Sequence, residues 1–247
     1  DESSVREVAA RLRDEKIESV AVCFLHAYRN GVHEKRVRDI LSEECPGLFI
    51  SLSHDVCPEI REYERTSTTA ANAYVQPLMS TYLGKLSDAL KELGVSAPLL
   101  MIMSSGSLTS VETARRLPIR LVESGPAGGA ILAREVAKEI GAGRSVALDM
   151  GGTTAKIIML TDYEPRHARS MEVARAYRFL AGSGLPLRIP VIEMIEIGAG
   201  GGSIAHVDEL GRIAVGPESA GFFRIKFHRA RCESIGIKLA EQKVGIG

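Results

Sequence analysis

The sequence predicts an α/β fold. Three observations carry that expectation: helical and strand periods alternate through the first half of the chain, the short apolar runs are of the kind buried on both faces, and a glycine turn joins two apolar strands at residues 145–160.

Taken in order, Val5, Val8, Ala9 and Leu12 mark a helical stripe over Glu2 to Asp14, and Ser19 to Leu25 reads as a continuous apolar strand. Helix follows from Val32 to Glu44, then strand from Leu48 to Leu52. Glu62 to Leu93 reads as one long helix, with Tyr63, Thr66, Ala70, Ala73, Tyr74, Leu78, Tyr82 and Leu86 marking a face and Pro77 expected to bend it. Leu99 to Met103 is a strand delivering the chain to the small-residue loop Ser104 to Ser107, and Ile119 to Val122 is a further strand. Glu123-Ser124-Gly125-Pro126-Ala127-Gly128-Gly129 then opens a helix to about Ile140, with proline in its first turn where a missing N–H costs nothing. Residues 165–190, rich in Arg, Gly and Pro, read as an irregular excursion rather than core. Val191 to Ile197 resumes an apolar pattern. After it come Gly198-Ala199-Gly200-Gly201-Gly202-Ser203, a strand from Ile204 to Val207, a turn around Asp208 to Gly211, and a strand from Ile213 to Val215.

The 247 residues, 45% hydrophobic and 25% charged, suffice for one large or two modest domains. Basic and acidic residues number 31 each, so no net field recruits nucleic acid or an anionic membrane, and neither is expected as a partner. Cys23, Cys45, Cys57 and Cys232 form no CxxC pair and read as reduced thiols of a cytoplasmic protein. No apolar stretch is long enough to span a membrane, and Asp1-Glu2-Ser3-Ser4 lacks the character of a signal peptide. The opening reads as the first turn of a helix already under way, as in a piece of a longer protein.

The most informative segment is Ser145 to Leu160, an apolar strand running into Asp149-Met150-Gly151-Gly152-Thr153-Thr154 and leaving as a second strand. Glycines without a Cβ, free to take positive φ, let backbone N–H groups approach a phosphate, while Thr153 and Thr154 add hydroxyls and Asp149 is placed to hold a hydrated divalent cation. An ordinary hairpin turn explains the same residues. Likewise the N–H groups around Gly125 either face a phosphate or simply start a helix. The glycine run Gly200, Gly201, Gly202 with Ser203 fits contact with a nucleotide or substrate, a structural crossing, or a linker.

Lys156 reads as a solvent-facing strand lysine in preference to a phosphate ligand. His26, His33 and Glu34 lack a known metal spacing and read as capping and loop hydrogen bonds. Glu59 to Arg65 reads as a solvated helix start or an interlobe salt-bridge surface. His206 lies close behind the glycine run.

The hairpin, the Ser-Gly-Pro-Ala-Gly-Gly helix start and Ile197-Gly198-Ala199-Gly200-Gly201-Gly202-Ser203-Ile204-Ala205 together resemble the hydantoinase/oxoprolinase family. Phe24 to Asn30, His33-Glu34, Ile60 to Thr69 and Val215 to Gly221 extend the resemblance over residues 1 to about 221. Around the hairpin and from Arg178 to Met194 the chain looks most like the ATP-hydrolysing A subunit of N-methylhydantoinase. The β-type subunits of acetone and acetophenone carboxylases and 5-oxoprolinase are related.

The resemblance implies an actin-like, sugar-kinase- and Hsp70-like (ribonuclease H-like) ATPase fold in which two lobes clamp ATP, each through one acid-glycine hairpin. This chain would be an incomplete fragment lacking the N-terminal phosphate hairpin and the distal C-terminal part, and would turn over no ATP alone. Residues 1–103 would be the C-terminal part of the family's N-terminal region and 104–221 the start of its ATPase domain. Residues 222–247 depart from the family and read as a frameshifted or mis-terminated end.

The implied reaction is ATP-dependent hydrolysis of a cyclic amide such as a hydantoin, N-methylhydantoin or 5-oxoproline, by phosphoryl activation of the substrate. The implied cofactors are ATP and Mg2+, and the implied partner is a hydantoinase B-like subunit in a hetero-oligomer. Asp149 would be the catalytic and metal-holding carboxylate. Gly151, Gly152, Thr153, Thr154, Gly125, Gly200, Gly201, Gly202 and Ser203 would bind phosphate. A ketone carboxylase subunit, where ATP phosphorylates an enol, and a catalytically inactive fragment are the alternatives.

Overall fold

Asp1 caps the first helix, α1 (Glu2–Asp14), its Oδ1 accepting from the Ser3 amide at 3.0 Å. The structure, a computed structural model, describes residues 1–174, 176, 182–208 and 210–219. After α1 come β1 (Ser19–Val22), α2 (Val32–Glu44) and β2 (Phe49–Leu52). Strands β1 and β2 pair in parallel, Ser19 opposite Phe49 through Val22 opposite Leu52, with α2 as the crossover. Ala9, Val22, Leu41 and Leu52 form the core beneath them. Strand β1 stops at Val22, short of the expected Leu25, because the chain then turns into a loop: the Phe24 amide donates to Glu34 Oε1 at 2.8 Å and His26 takes φ 56°.

Helix α3 (Ser53–Val56) leads to α4 (Glu62–Glu92), which runs through Pro77 without interruption. Of the stripe marked in the sequence only Ala73 is buried. Arg65, Thr68, Thr69, Asn72, Ala73, Gln76, Ser80 and Leu83 point inward, whereas Tyr63, Tyr74, Leu78 and Tyr82 are exposed. The polar residues are tolerated inside because each finds a partner: Ser51 Oγ donates to Gln76 Oε1 at 2.9 Å, Asn72 Nδ2 donates to Ser51 Oγ at 2.9 Å, and the Arg188 amide donates to Thr68 Oγ1 at 2.8 Å.

The chain continues through β3 (Leu100–Ile102), β4 (Leu108–Ser110), α5 (Val111–Arg116) and a 3-10 turn at Pro118–Leu121. That turn replaces the strand expected from Ile119 to Val122. Pro118 has no N–H for a ladder, and the Ile119 amide donates instead to Asn72 Oδ1 at 3.2 Å. Helix α6 (Ser124–Glu139) places Pro126 in its first turn, as expected.

Beyond it lie β5 (Arg144–Met150), β6 (Ala155–Thr161), β7 (Glu164–Pro165), β8 (His167–Ala168), β9 (Met171–Val173), β10 (Leu185–Leu187), β11 (Val191–Ile192), β12 (Ile195–Ile197), β13 (Ser203–Val207) and β14 (Ile213–Ser219). Residues 165–190, expected to stay out of the core, contribute to it: Leu187 and Ile189 are buried with Val56, Cys57, Leu117, Ile119 and Val191. An Arg- and Pro-rich sequence conceals them because they alternate with Arg188 and Pro190 and only Leu187 lies in a strand.

Two units result, Asp1–Val136 with Pro165–Glu193 and Ala137–Glu164 with Met194–Gly247. In the second, β12, β6 and β5 form an antiparallel sheet, and β13 pairs with β14. Among the described residues Cys23, Cys45 and Cys57 are free thiols, and no helix is long and apolar enough to cross a membrane. Cys232, the segment Arg178 to Leu180 and the atypical tail at 222–247 lie outside the described residues.

Candidate phosphate site at a glycine hairpin

Strands β5 and β6 pair from Arg144 opposite Thr161 to Met150 opposite Ala155, leaving Gly151 to Thr154 as a four-residue turn. The Gly151 amide closes it on the Thr154 carbonyl at 2.9 Å. Neither Gly151 nor Gly152 uses a positive φ, so the left-handed freedom expected of them is not what the turn exploits. A Cβ built on Gly152 meets no protein atom within 4 Å, so nothing in the surrounding packing demands glycine there. The amides of Gly152, Thr153 and Thr154 make no hydrogen bond among the described residues, and Gly151, Gly152 and Thr153 are exposed. Three adjacent unpaired donors on an exposed turn form the kind of concavity that takes an anion.

The glycine run packs against the inner side of this turn. The Gly201 amide donates to the Gly151 carbonyl at 3.0 Å and the Gly202 amide to the Gly152 carbonyl at 2.8 Å. A Cβ on Gly200 would lie 2.4 Å from the Gly151 carbonyl oxygen, and one on Gly202 would lie 2.9 Å from that of Gly152. These glycines are therefore demanded by a backbone crossing, one of the three readings their sequence allows. Ser203 closes the loop, its Oγ accepting from the Gly200 amide at 2.9 Å.

Asp149, next to last in β5, lies directly opposite Lys156, which in turn lies opposite Glu196 of β12, so the three charges form one row across the sheet. Lys156 is not the solvent-facing lysine its position suggests. Its side chain is mostly buried, donates to Thr154 Oγ1 at 3.0 Å and pairs with Glu196 Oε1 at 3.4 Å. It thereby fixes the turn hydroxyl. Strand alternation, which sets Lys156 on the Asp149 face, was the signal available for this role; Glu196 needed the third strand. The half-buried Asp149 carboxylate makes no hydrogen bond or ion pair among the described residues.

A single carboxylate beside free amides suits Mg2+, which commonly keeps its waters and binds through one or two carboxylates together with phosphate oxygens. It does not suit a protein-only cage, and among the described residues no three His, Cys, Asp or Glu side chains gather as metal ligands. The structure thus brings together Asp149, Gly151 to Thr154 and Gly200 to Ser203 in one unit, whereas Gly125, in the first turn of α6, belongs to the other. His206 is exposed on β13.

Two further sequence candidates, Glu34 and Arg65, make internal hydrogen bonds. Buried Glu34 accepts from the Phe24 amide, from Ser53 Oγ at 2.6 Å and from the His54 amide at 2.8 Å. Arg65, at 1% exposure, is core and not a solvated helix start. It donates to Ser53 Oγ, the Glu59 and Phe24 carbonyls and Glu62 Oε1, beneath the Tyr28 ring.

The sequence model described as Hydantoinase/oxoprolinase matches residues 65–226, and that described as Hydantoinase/oxoprolinase N-terminal region matches residues 1–45. An uncharacterised protein of Methanocaldococcus jannaschii is 40% identical over 223 residues, covering 89% of this chain and 33% of that protein. Caprolactamase subunit alpha of Pseudomonas jessenii is 34% identical over 221 residues, 90% of this chain and 30% of the subunit. The crystal structure of the ATP-dependent caprolactamase from that organism superposes with a TM-score of 0.76 at 29% identity, over 100% of this chain and 36% of its own. Nucleotide-free acetone carboxylase, an enzyme of ATP-dependent acetone carboxylation, gives a TM-score of 0.70 at 30% identity, over 90% of this chain and 30% of its own. Both structural neighbours are mixed α/β. The chain spans about a third of the length of these relatives.

Proposed function

Since the chain belongs to the hydantoinase/oxoprolinase family, we propose that its second unit grips the polyphosphate of ATP within an enzyme that activates a cyclic amide by phosphorylation and opens it with water. The observation that carries this is the exposed turn at Gly152 to Thr154, with three free amides, room over Gly152, and the Asp149 carboxylate at the end of the strand that feeds it.

The amides of Gly152, Thr153 and Thr154 receive phosphate oxygens and the Thr153 hydroxyl adds a donor. Asp149 would hold Mg2+, which would supply charge neutralisation at the polyphosphate. Lys156 fixes Thr154, and the run Gly200 to Ser203 backs the turn so that its donors are oriented before ligand arrives. A ring amide is a poor electrophile. Transfer of the γ-phosphoryl group to its oxygen, with ADP leaving, makes the attached carbon electrophilic. Water adds there, the C–N bond breaks as nitrogen takes a proton, and hydrolysis of the resulting acyl phosphate releases phosphate and the ring-opened acid.

The fold we assign to the whole protein is the two-lobed actin-like ATPase, here represented by one acid-glycine hairpin. Its substrate is a small cyclic amide of the N-methylhydantoin or 5-oxoproline kind, its partner a B-like subunit, and its compartment the cytoplasm. The similarity to acetone carboxylase favours a second reading, in which an enol oxygen is phosphorylated by the same hairpin.

The test measures ADP release by the full-length polypeptide with its partner subunit, supplied with hydantoin, 5-oxoproline, or acetone with bicarbonate. Asp149→Ala is expected to cost roughly 100-fold or more in Mg2+-dependent turnover. Turnover unchanged by that substitution overturns the assignment of the hairpin, and dependence on the ketone alone selects the second reading.

A further inference from the structure

Gln76 lies on the inward face of α4 at 7% exposure, and one end of its amide has no partner among the described residues. Which end that is follows from a chain of hydrogen bonds whose direction is fixed at its start. The Ile119 amide can only donate, and it donates to Asn72 Oδ1 at 3.2 Å. Asn72 therefore presents its NH2 to Ser51 Oγ at 2.9 Å and to the Arg116 carbonyl at 3.1 Å. Ser51 passes its own proton to Gln76 Oε1 at 2.9 Å. The Gln76 oxygen is thereby turned inward, and Nε2, with two protons to give, is the end left to the cavity that Gln76 lines.

That cavity, of about 280 Å3, lies between α4 and α5 and is lined by Gln76, Ser80, Glu112, Arg115 and Arg116. Ser80, at 5% exposure, behaves as Gln76 does. Thr68 and Thr69 return their hydroxyl protons to the helix, at the Glu64 and Arg65 carbonyls. Ser80 Oγ instead accepts from Arg115 Nε at 3.1 Å and donates to no group among the described residues. Neither Arg115 nor Arg116 pairs with a carboxylate among those residues, although Glu112 lines the same cavity. The dipole of α5 favours basic residues in its last turn, which accounts for charge at 115 and 116. It does not account for a buried amide and a buried hydroxyl whose donors meet no acceptor, an arrangement folded proteins avoid.

We propose that this cavity binds a small oxyanion, the carboxylate or phosphate group of a small molecule, through Gln76 Nε2, Ser80 Oγ and the guanidinium groups of Arg115 and Arg116. Two positive charges face one negative charge there, and the buried polar atoms left without a partner are donors, which selects an anion over a cation. The volume admits the charged group with a few attached carbons and excludes a nucleotide. The proposal is independent of the nucleotide assignment, since this cavity and the glycine hairpin belong to different units.

The experiment is calorimetric titration of the full-length polypeptide with inorganic phosphate and, separately, with acetate, in about 0.15 M chloride so that diffuse attraction is screened. One saturable site is expected, and the anion that saturates it identifies the group the cavity takes. Arg116→Met removes a guanidinium that holds nothing in the fold, so its unfolding midpoint should match that of the native chain. Gln76→Glu keeps an oxygen for Ser51 and replaces the NH2 by a second acceptor. Each is expected to raise the dissociation constant roughly 10-fold or more, as loss of a hydrogen bond to a charged group does. Gly152→Ala, at the hairpin, should leave the anion titration unmoved, which keeps a failure of the nucleotide assignment separate. No saturation by either anion up to about 10 mM, a titration that either folded variant leaves unmoved, or one that follows Gly152→Ala each overturns the proposal.

Discussion

Glu34 is an acceptor only, and every donor around it needs it to be one. Its two oxygens, themselves buried, take the Phe24 amide, the Ser53 hydroxyl and the His54 amide. Glu34→Gln keeps the shape but turns an amide NH2 towards existing donors, leaving at least one buried N–H without a partner. The expected cost is about 2–4 kcal/mol in urea unfolding, within the usual penalty for an orphaned buried group next to a charged acceptor. A loss below ~0.5 kcal/mol would mean the loop at Phe24 to Asn30 is not held by this carboxylate. A neighbouring acid gives the pH dependence. A hydrogen bond from Arg65, then one from the His26 amide, holds the Glu62 carboxyl below the ordinary carboxylate range. Because the folded value is depressed, the stabilisation is present above the unfolded value of ~4.3 and is lost as pH falls through the folded one. The difference in stability between the native chain and Glu62→Gln should therefore be constant near neutrality and shrink as acid is added. Widening in acid would contradict the assigned partner.

At the scale of an element, two glycines of the candidate site can be separated by one substitution each. Gly200→Ala drives a Cβ to 2.4 Å from the Gly151 carbonyl oxygen, which is backbone and cannot swing away. The loop must shift, the two hydrogen bonds donated by the Gly201 and Gly202 amides are broken, and a loss of roughly 2–4 kcal/mol is expected, read as faster hydrogen exchange in β5 and β6. Gly152→Ala meets nothing within 4 Å, so stability should change by under ~1 kcal/mol while affinity for a Mg2+–ATP analogue falls. If Gly152→Ala binds nucleotide as the native chain does, the free amides beside it are not the phosphate site. The hairpin strands were legible because apolar runs bracket an acid and two glycines. The crossing was not, since a glycine pinned by a neighbouring backbone looks in sequence like one cleared for a ligand. Long helix α4 was legible in extent but not in orientation. A periodic stripe assigns the apolar side to the core, and only contacts distant in sequence, Ser51 to Gln76, Asn72 to Ile119 and Thr68 to Arg188, show that the polar side is satisfied inside. Lys156 follows the same logic, buried by a third strand that arrives some forty residues later.

For the molecule as a whole, the α/β expectation is met in the parallel β1–β2 pair with its helical crossover, while the second unit is built on an antiparallel sheet with two unequal faces. On one side Ile158 and Leu160 are buried; on the other Val146 lies opposite Met159 and Leu148 opposite Ile157, with Ile195 and Ile197 alongside. Val146, Leu148, Met150, Met159, Ile195 and Ile197 are all exposed, a contiguous apolar surface of the size that marks an interaction site or an aggregation hazard. The 247-residue chain should accordingly bind anilinonaphthalene sulfonate strongly and lose solubility as its concentration rises. Leu148→Lys places a charge in the middle of that face. Successive strand residues point to opposite sides, so the substitution leaves the Asp149 row untouched. Dye fluorescence should fall and soluble yield rise, with the circular dichroism and the affinity for a Mg2+–ATP analogue unchanged. Were dye binding and yield to stay at the native level, this face would already be covered in solution. A simultaneous loss of nucleotide affinity would instead show that the two sides of the sheet are not independent, and that the turn depends on more than the row of charges that now accounts for it.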